Sequence, residues 1–121
     1  MTDAFHAYWK RQQALRRRQS QQLAQAARRD LDQIVRVLRE RYDAQRIVLF
    51  GSLVKGRFTA ESDIDLAVAG LAPVDFFAAY AEVNRVSRFQ VDVKPLESLH
   101  PHFYRRVLAQ GEVIYEAPDP T

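Results

Sequence analysis

The sequence of 121 residues contains no cysteine. That excludes a disulfide scaffold, thiolate metal sites and a cysteine nucleophile, and it accords with a reducing compartment. No apolar run is long: Phe76 to Ala81, six residues, is the longest, against about 20 for a membrane-spanning helix. The opening Met-Thr-Asp-Ala-Phe-His lacks the basic and then apolar layout of a secretory signal. The expected address is cytoplasmic, with no membrane partner. Glycine and proline are scarce, at four and five residues, and neither occurs before Gly51. Both interrupt helices, so fifty residues without either predict helix. At roughly 100–200 residues per domain, the length predicts one domain.

What is present changes character near residue 45. Residues 1–45 hold ten Lys or Arg and five Asp or Glu, whereas residues 46–121 hold eight basic and ten acidic residues. In the first part, Leu23, Ala27, Leu31, Ile34, Val35, Leu38 and Tyr42 recur at three- and four-residue steps, one apolar face at helical period. Asp32 and Arg36 are spaced to pair on the helix surface. A second apolar group, Phe5, Tyr8, Trp9 and Leu15, precedes the polar tract Arg16 to Gln22. The reading is one long helix, or two with a bend near 16–22. Continuous from Ala4 to Tyr42 it would span about 58 Å at about 1.5 Å per residue. That is more than so small a body can cover, so its N-terminal part is expected to project or to pack on another chain, a homo-oligomer being one possibility.

Beyond residue 45 the period is mixed. Ile47–Phe50 reads as a buried strand ended by Gly51-Ser52, and Ser52–Phe58 as a short helical segment. Asp63–Val68 and Phe89–Lys94 alternate like strands. Pro73–Val86 and Ser98–Gln110 read as helices, the second with Ser98 as its N-cap and Gly111 as its stop. Glu112–Tyr115 is a last strand. The fold class is therefore α/β (α+β), a small mixed sheet of about four strands covered by helices. The organisation is a long basic helix over 1–45, a compact unit over 46–116 and a frayed tail over 117–121.

Three features carry chemistry. Asp63 and Asp65 are i and i+2 on a strand and so share a face, with Cα atoms roughly 6.5–7 Å apart. Each raises the other's pKa unless a cation lies between them. Oxygen-only donors suit a hard ion such as Mg²⁺. The alternative is a solvated strand face. Gly51-Ser52, at a strand-to-helix turn, offers a close backbone approach, free N–H groups and a hydroxyl, all suited to phosphate. The alternative is a plain turn. Lys55 and Arg57 follow on the same segment and could meet phosphate or simply be solvated. Asp92, polar between Val91 and Val93, can join the acidic pair if its strand lies beside 63–68. Three carboxylates around two metal ions can clamp the attacking and leaving oxygens of an in-line displacement. His6, His100 and His102 are expected in surface or packing roles.

Taken together, Gly51-Ser52, ten intervening residues, Asp63-Ile64-Asp65-Leu66 and a later strand Asp92 resemble the minimal nucleotidyltransferase (MNT) domains of the DNA polymerase β-like superfamily. The resemblance spans about residues 46–116, including Arg105-Arg106-Val107-Leu108 to Gly111-Glu112-Val113-Ile114-Tyr115. It does not extend to the long helix. It implies the nucleotidyltransferase fold, and it implies that Asp63, Asp65 and Asp92 hold Mg²⁺, two ions in all, with Asp92 also helping to deprotonate an acceptor hydroxyl. It further implies that Gly51 and Ser52 hold the β- and γ-phosphates of ATP, with Lys55 as a basic contact. Many members are MntA-type antitoxins paired with a HEPN toxin, either adenylylating a toxin tyrosine or blocking the toxin by binding. The implied function is Mg²⁺-dependent transfer of AMP from ATP to a hydroxyl, most simply one carried on such a partner. The alternative is a non-catalytic nucleotide- or toxin-binding module. RNA binding through the basic helix, where residues 1–29 hold seven Lys or Arg against one acid, is the weaker third reading.

Overall fold

The computed structural model describes residues 2–118. The breaker-free region is one uninterrupted helix, α1 (Thr2–Tyr42). Asp3 in its first turn and Arg39 and Arg41 in its last complement the helix dipole. The helix ends where Asp43 turns to φ 56°, and the Ala44 N–H reaches back to the Leu38 carbonyl at 2.9 Å. Its sequence-predicted face is the one it buries: Ala27, Leu31, Ile34 and Leu38 are in the core, with Leu23, Val35 and Tyr42 packed at its margin. The helix and the residues after 45 thus share one core. Among the described residues, the hydrogen bond from α1 to the body that lies nearest the helix N-terminus is the Ser20 hydroxyl donating to the Phe58 carbonyl. Before it, Phe5, Tyr8, Trp9 and Leu15 are exposed, Phe5 at 72%. Asp32 and Arg36 make no ion pair among the described residues; Arg28 instead reaches across to Glu112 at 3.0 and 3.2 Å.

Four strands follow: β1 (Arg46–Phe50), β2 (Ile64–Ala69), β3 (Val91–Pro95) and β4 (Glu112–Glu116). They form one mixed sheet in the order β3-β2-β1-β4. β1 is antiparallel to both β2 and β4, while β2 and β3 are parallel, joined through α2 (Phe76–Val86). Alternate residues Ile47, Leu49, Ile64, Leu66, Val68, Val91 and Val93 enter the core under α1 and α2. Val48 and Ala67 point to the other face, where they meet Leu96 and Val107 near α3 (Pro101–Gln110). Asp65 and Asp92, by the same alternation, belong to this second face.

Several boundaries differ from the sequence reading. Ser52–Phe58 is a short 3₁₀ turn, Gly51–Leu53, followed by an irregular loop. Asp63 lies just ahead of β2, and Phe89-Gln90 precede β3. The last helix starts at Pro101, not Ser98. Ser98 closes a 3₁₀ turn, Leu96–Ser98, and the cap is His100, whose Nδ1 accepts from the His102 N–H at 3.3 Å. Proline at the first helical position explains the shift, since it needs no N–H partner there. Gly111 stops α3 with φ outside the left-handed region; a Cβ there would press on the Val48 side chain and the Leu49 carbonyl. In the tail, Ala117 is tied to the Gln45 carbonyl at 2.8 Å, and residues 119–121 lie outside the described part.

Candidate active site

Three local devices bring the acids and the glycine loop together. Parallel register sets Asp65 opposite Asp92 across β2 and β3, and antiparallel register sets Phe50, the residue before Gly51, opposite Asp65. The start of β3 is pinned to α2 by Asn84, whose side chain donates to the Val91 carbonyl at 2.9 Å and accepts from the Val91 N–H at 2.8 Å. Gly51 takes φ +80° and lies directly against the Asp65 carboxylate. Its carbonyl accepts from the Lys55 N–H at 3.1 Å, and that of Ser52 from the Arg57 N–H at 2.9 Å, which curls the loop over itself.

The electrostatics follow from this crowding. Burial, then the charges of Asp92 and Asp63, push the Asp65 carboxyl up to about 6, with Lys94 pulling the other way. Asp92 is held from two sides: Lys94 Nζ donates to its Oδ2 at 2.6 Å, and the Tyr80 hydroxyl donates to its Oδ1 at 3.3 Å. The hydrogen bond to Asp92 raises the Lys94 ammonium pKa, and burial followed by the Asp92 charge raises that of the Tyr80 phenol. Asp63 acts on both Asp65 and Tyr80, so all three acids belong to one electrostatic unit.

Among the described residues, no group of three or more His, Cys, Asp or Glu side chains is gathered closely enough to hold a metal ion as folded. The donor chemistry nonetheless fits a divalent cation. The donors are all oxygens, the Asp65 carboxyl is pushed toward neutrality by burial and then by its acidic neighbours, and the Lys94 ammonium supplies positive charge where an ion would supply more. Gly51 and Lys55 line a cleft of about 230 Å³ against α3, with Phe50, Val54, Phe103 and Arg106. Ser52 lies beside Gly51 in the 3₁₀ turn. Arg57 is exposed and does not line this cleft. Sequence reasoning missed Lys94, Tyr80, Asn84 and Arg106. Only Lys94 carried a signal, standing two residues after Asp92 and hence on its face.

Residues 32–119 match the Polymerase beta, Nucleotidyltransferase family. The chain belongs to that family. A protein of Methanocaldococcus jannaschii named "Putative protein adenylyltransferase MJ0604" is 26% identical over 95 residues, covering 70% of this chain and 94% of that one. A crystal structure of a toxin–antitoxin with AMP-PNP superposes with a TM-score of 0.64 and 27% identity, covering 71% of this chain and 73% of that one. A structure of a tri-AMPylated Shewanella oneidensis HEPN toxin in complex with MNT antitoxin gives a TM-score of 0.58, at 23% identity and 75% and 73% coverage, a likeness of fold alone. Family and fold both agree with the resemblance carried by Gly51-Ser52 and Asp63-Ile64-Asp65.

Proposed function

We propose that this nucleotidyltransferase moves AMP from ATP to a hydroxyl of a partner protein, most simply a tyrosine of a HEPN-type toxin, and so acts as its antitoxin in the cytoplasm. The observation that carries the reading is the register of Asp65 with Asp92 beside a glycine packed on Asp65. An adenylyltransferase name on one relative and AMP-PNP in a toxin–antitoxin relative support it.

In this scheme Asp63, Asp65 and Asp92 hold Mg²⁺, which when bound offsets charge on the phosphoryl oxygens. Gly51 and Ser52 receive the β- and γ-phosphates, with Lys55 as a cationic contact and Arg57 at the loop's outer side. The acceptor oxygen bonds to the α-phosphorus, the bond to the β-phosphate bridging oxygen breaks, and pyrophosphate leaves with that electron pair. Asp92 takes the hydroxyl proton. Lys94 and Tyr80, each hydrogen-bonded to one carboxylate oxygen, hold Asp92 in position for the acceptor.

A second reading, neutralisation by binding without turnover, draws on the Lys94 ammonium, which already occupies one oxygen of the Asp92 carboxylate. Intact-mass analysis of a HEPN protein encoded beside this chain, after incubation with ATP and Mg²⁺, separates the two. Adenylyl adducts on a tyrosine are the expected result. A tight complex whose toxin stays unmodified would favour the binding module.

A further inference from the structure

The cleft between the glycine loop and α3 contains two cations from separate parts of the chain. Lys55 comes from the loop and Arg106 from α3, and both line the same space beside Gly51. Among the described residues neither takes part in an ion pair. Two like charges facing one cleft without a carboxylate repel each other, and an anion between them removes the repulsion.

Arg106 is also held in place. Its guanidinium lies 5.7 Å from the centre of the Phe103 ring, and Phe103 meets Phe50 edge-to-face at 5.6 Å. Phe50 immediately precedes Gly51, so the strand that presents the glycine also braces the arginine. This stacking costs the guanidinium rotamer freedom in advance and leaves its N–H edge to bind oxygen.

The shape limits the ligand. About 230 Å³ falls below the roughly 300–1,000 Å³ of pockets for drug-sized molecules, so the cleft houses one part of a nucleoside triphosphate and leaves the rest outside it. With a Phe103 face under Arg106 and Phe50 packed on its ring, the aromatic surface is largely committed and offers little to a stacked base. The rest of the lining is Val54, Val107 and Gln110 with two cations, Lys55 and Arg106, beside the glycine loop.

We propose that Arg106 of α3, acting with Lys55, grips the terminal phosphates of the nucleotide and the pyrophosphate that leaves. The inference rests on the nucleotide reading of the site and adds a residue from outside the Gly-Ser and Asp motifs. In the transfer step the charge on the bridging oxygen passes to the leaving pyrophosphate, and a paired cation there stabilises it.

The test is calorimetric, on the full chain with Mg²⁺ present, using ATP, AMP and tripolyphosphate as ligands for the wild type and for Arg106→Gln, Arg106→Lys and Lys55→Gln. A charged hydrogen bond to phosphate corresponds to roughly 10–100-fold in affinity. ATP and tripolyphosphate should therefore weaken by that factor in Arg106→Gln while AMP, which lacks the terminal phosphates, binds as before. Arg106→Lys should recover part of the loss, and Lys55→Gln should show the same selectivity. Arg106 is exposed, so the fold should survive, and an unchanged melting curve checks that. If Arg106→Gln leaves the ratio of ATP to AMP affinity unchanged, the clamp is wrong and the nucleotide reading stands. If the wild type binds none of the three ligands, both fall.

Discussion

Gly51 leaves no room for a side chain beside the Asp65 carboxylate as placed: a Cβ there would lie 3.1 Å from Cγ and overlap Oδ2, so the carboxylate would have to shift. The glycine loop is thus fitted to Asp65. Gly51→Ala meets that overlap and a left-handed backbone that costs an L residue about 1–2 kcal/mol. It should lower the unfolding midpoint in urea and abolish ATP binding by calorimetry. Binding at wild-type strength would separate the loop from the site.

The pKa of Asp65 predicts a pH signature. Its folded value, about 6, lies above the ordinary 3.8, so folding favours the protonated form. The stability present below about pH 4 is lost as the pH rises to about 6, and the apo protein carries the full cost above that. Asp65→Asn should therefore raise the melting temperature of the apo protein at pH 7 and lose that advantage near pH 4. Mg²⁺ affinity of the wild type should fall as the pH drops through 6, because the proton competes. Melting curves that run parallel for variant and wild type across pH 4–7 would contradict both.

Asp92→Asn preserves shape but removes the charge that Lys94 and Tyr80 hold and the capacity to accept a proton. ATP binding should persist in weakened form. General-base catalysis is typically worth about 10²–10⁴-fold, so the transfer rate should drop at least about a hundredfold, measured by radiolabelled AMP incorporation into the partner. Transfer at the wild-type rate would show that another group takes the proton.

Glu82 on α2 is only 4% exposed and is met by Arg41 from α1, with Arg85 farther away at 3.9 Å. Its Oε2 has no hydrogen-bond partner, so the carboxylate depends on Arg41. Arg41→Ala should cost about 1–3 kcal/mol in urea unfolding. Arg39→Ala, which loses an exposed pair with Glu40 and a guanidinium contact over the Tyr115 ring at 5.7 Å, should cost less, below about 1 kcal/mol. Equal effects of the two would mean that Glu82 is not sustained by its arginine.

Removing residues 1–19 should leave ATP affinity unchanged, because the tie between Ser20 and Phe58 marks where α1 leaves the body. It should weaken a protein contact, read by light scattering for self-association and by pull-down with the HEPN partner. A shortened chain that matches the full one in both would discard a docking role for Phe5, Tyr8, Trp9 and Leu15.

Much of this architecture was legible before any coordinates. The 3.6-residue recurrence from Leu23 to Tyr42 named the buried face of α1, and alternation around Asp65 and Asp92 named the strands. What the sequence could not convey was set by partners distant along the chain. Tyr80 reaches Asp92 from a helix whose rotation depends on packing against α1. Arg106 and Lys55 line one cleft from distant parts of the chain, and no local pattern encodes that placement. The shift of the α3 cap from Ser98 to His100 is a contest between two plausible caps, decided by where Pro101 could start a helix.

The continuity of α1 has a kinetic consequence. A free peptide must first nucleate a helix, a step weighted by only about 10⁻³, before each further residue adds with a factor of about 1–1.6 near 0 °C. Here the stretch from Ala27 to Leu38, anchored in the core, supplies turns that are already ordered, so the exposed part needs only propagation. Phe5, Tyr8 and Trp9 are displayed in a formed helix before any encounter. A molecule arriving there binds a ready-made surface instead of ordering a coil, which favours fast capture over slow folding on contact.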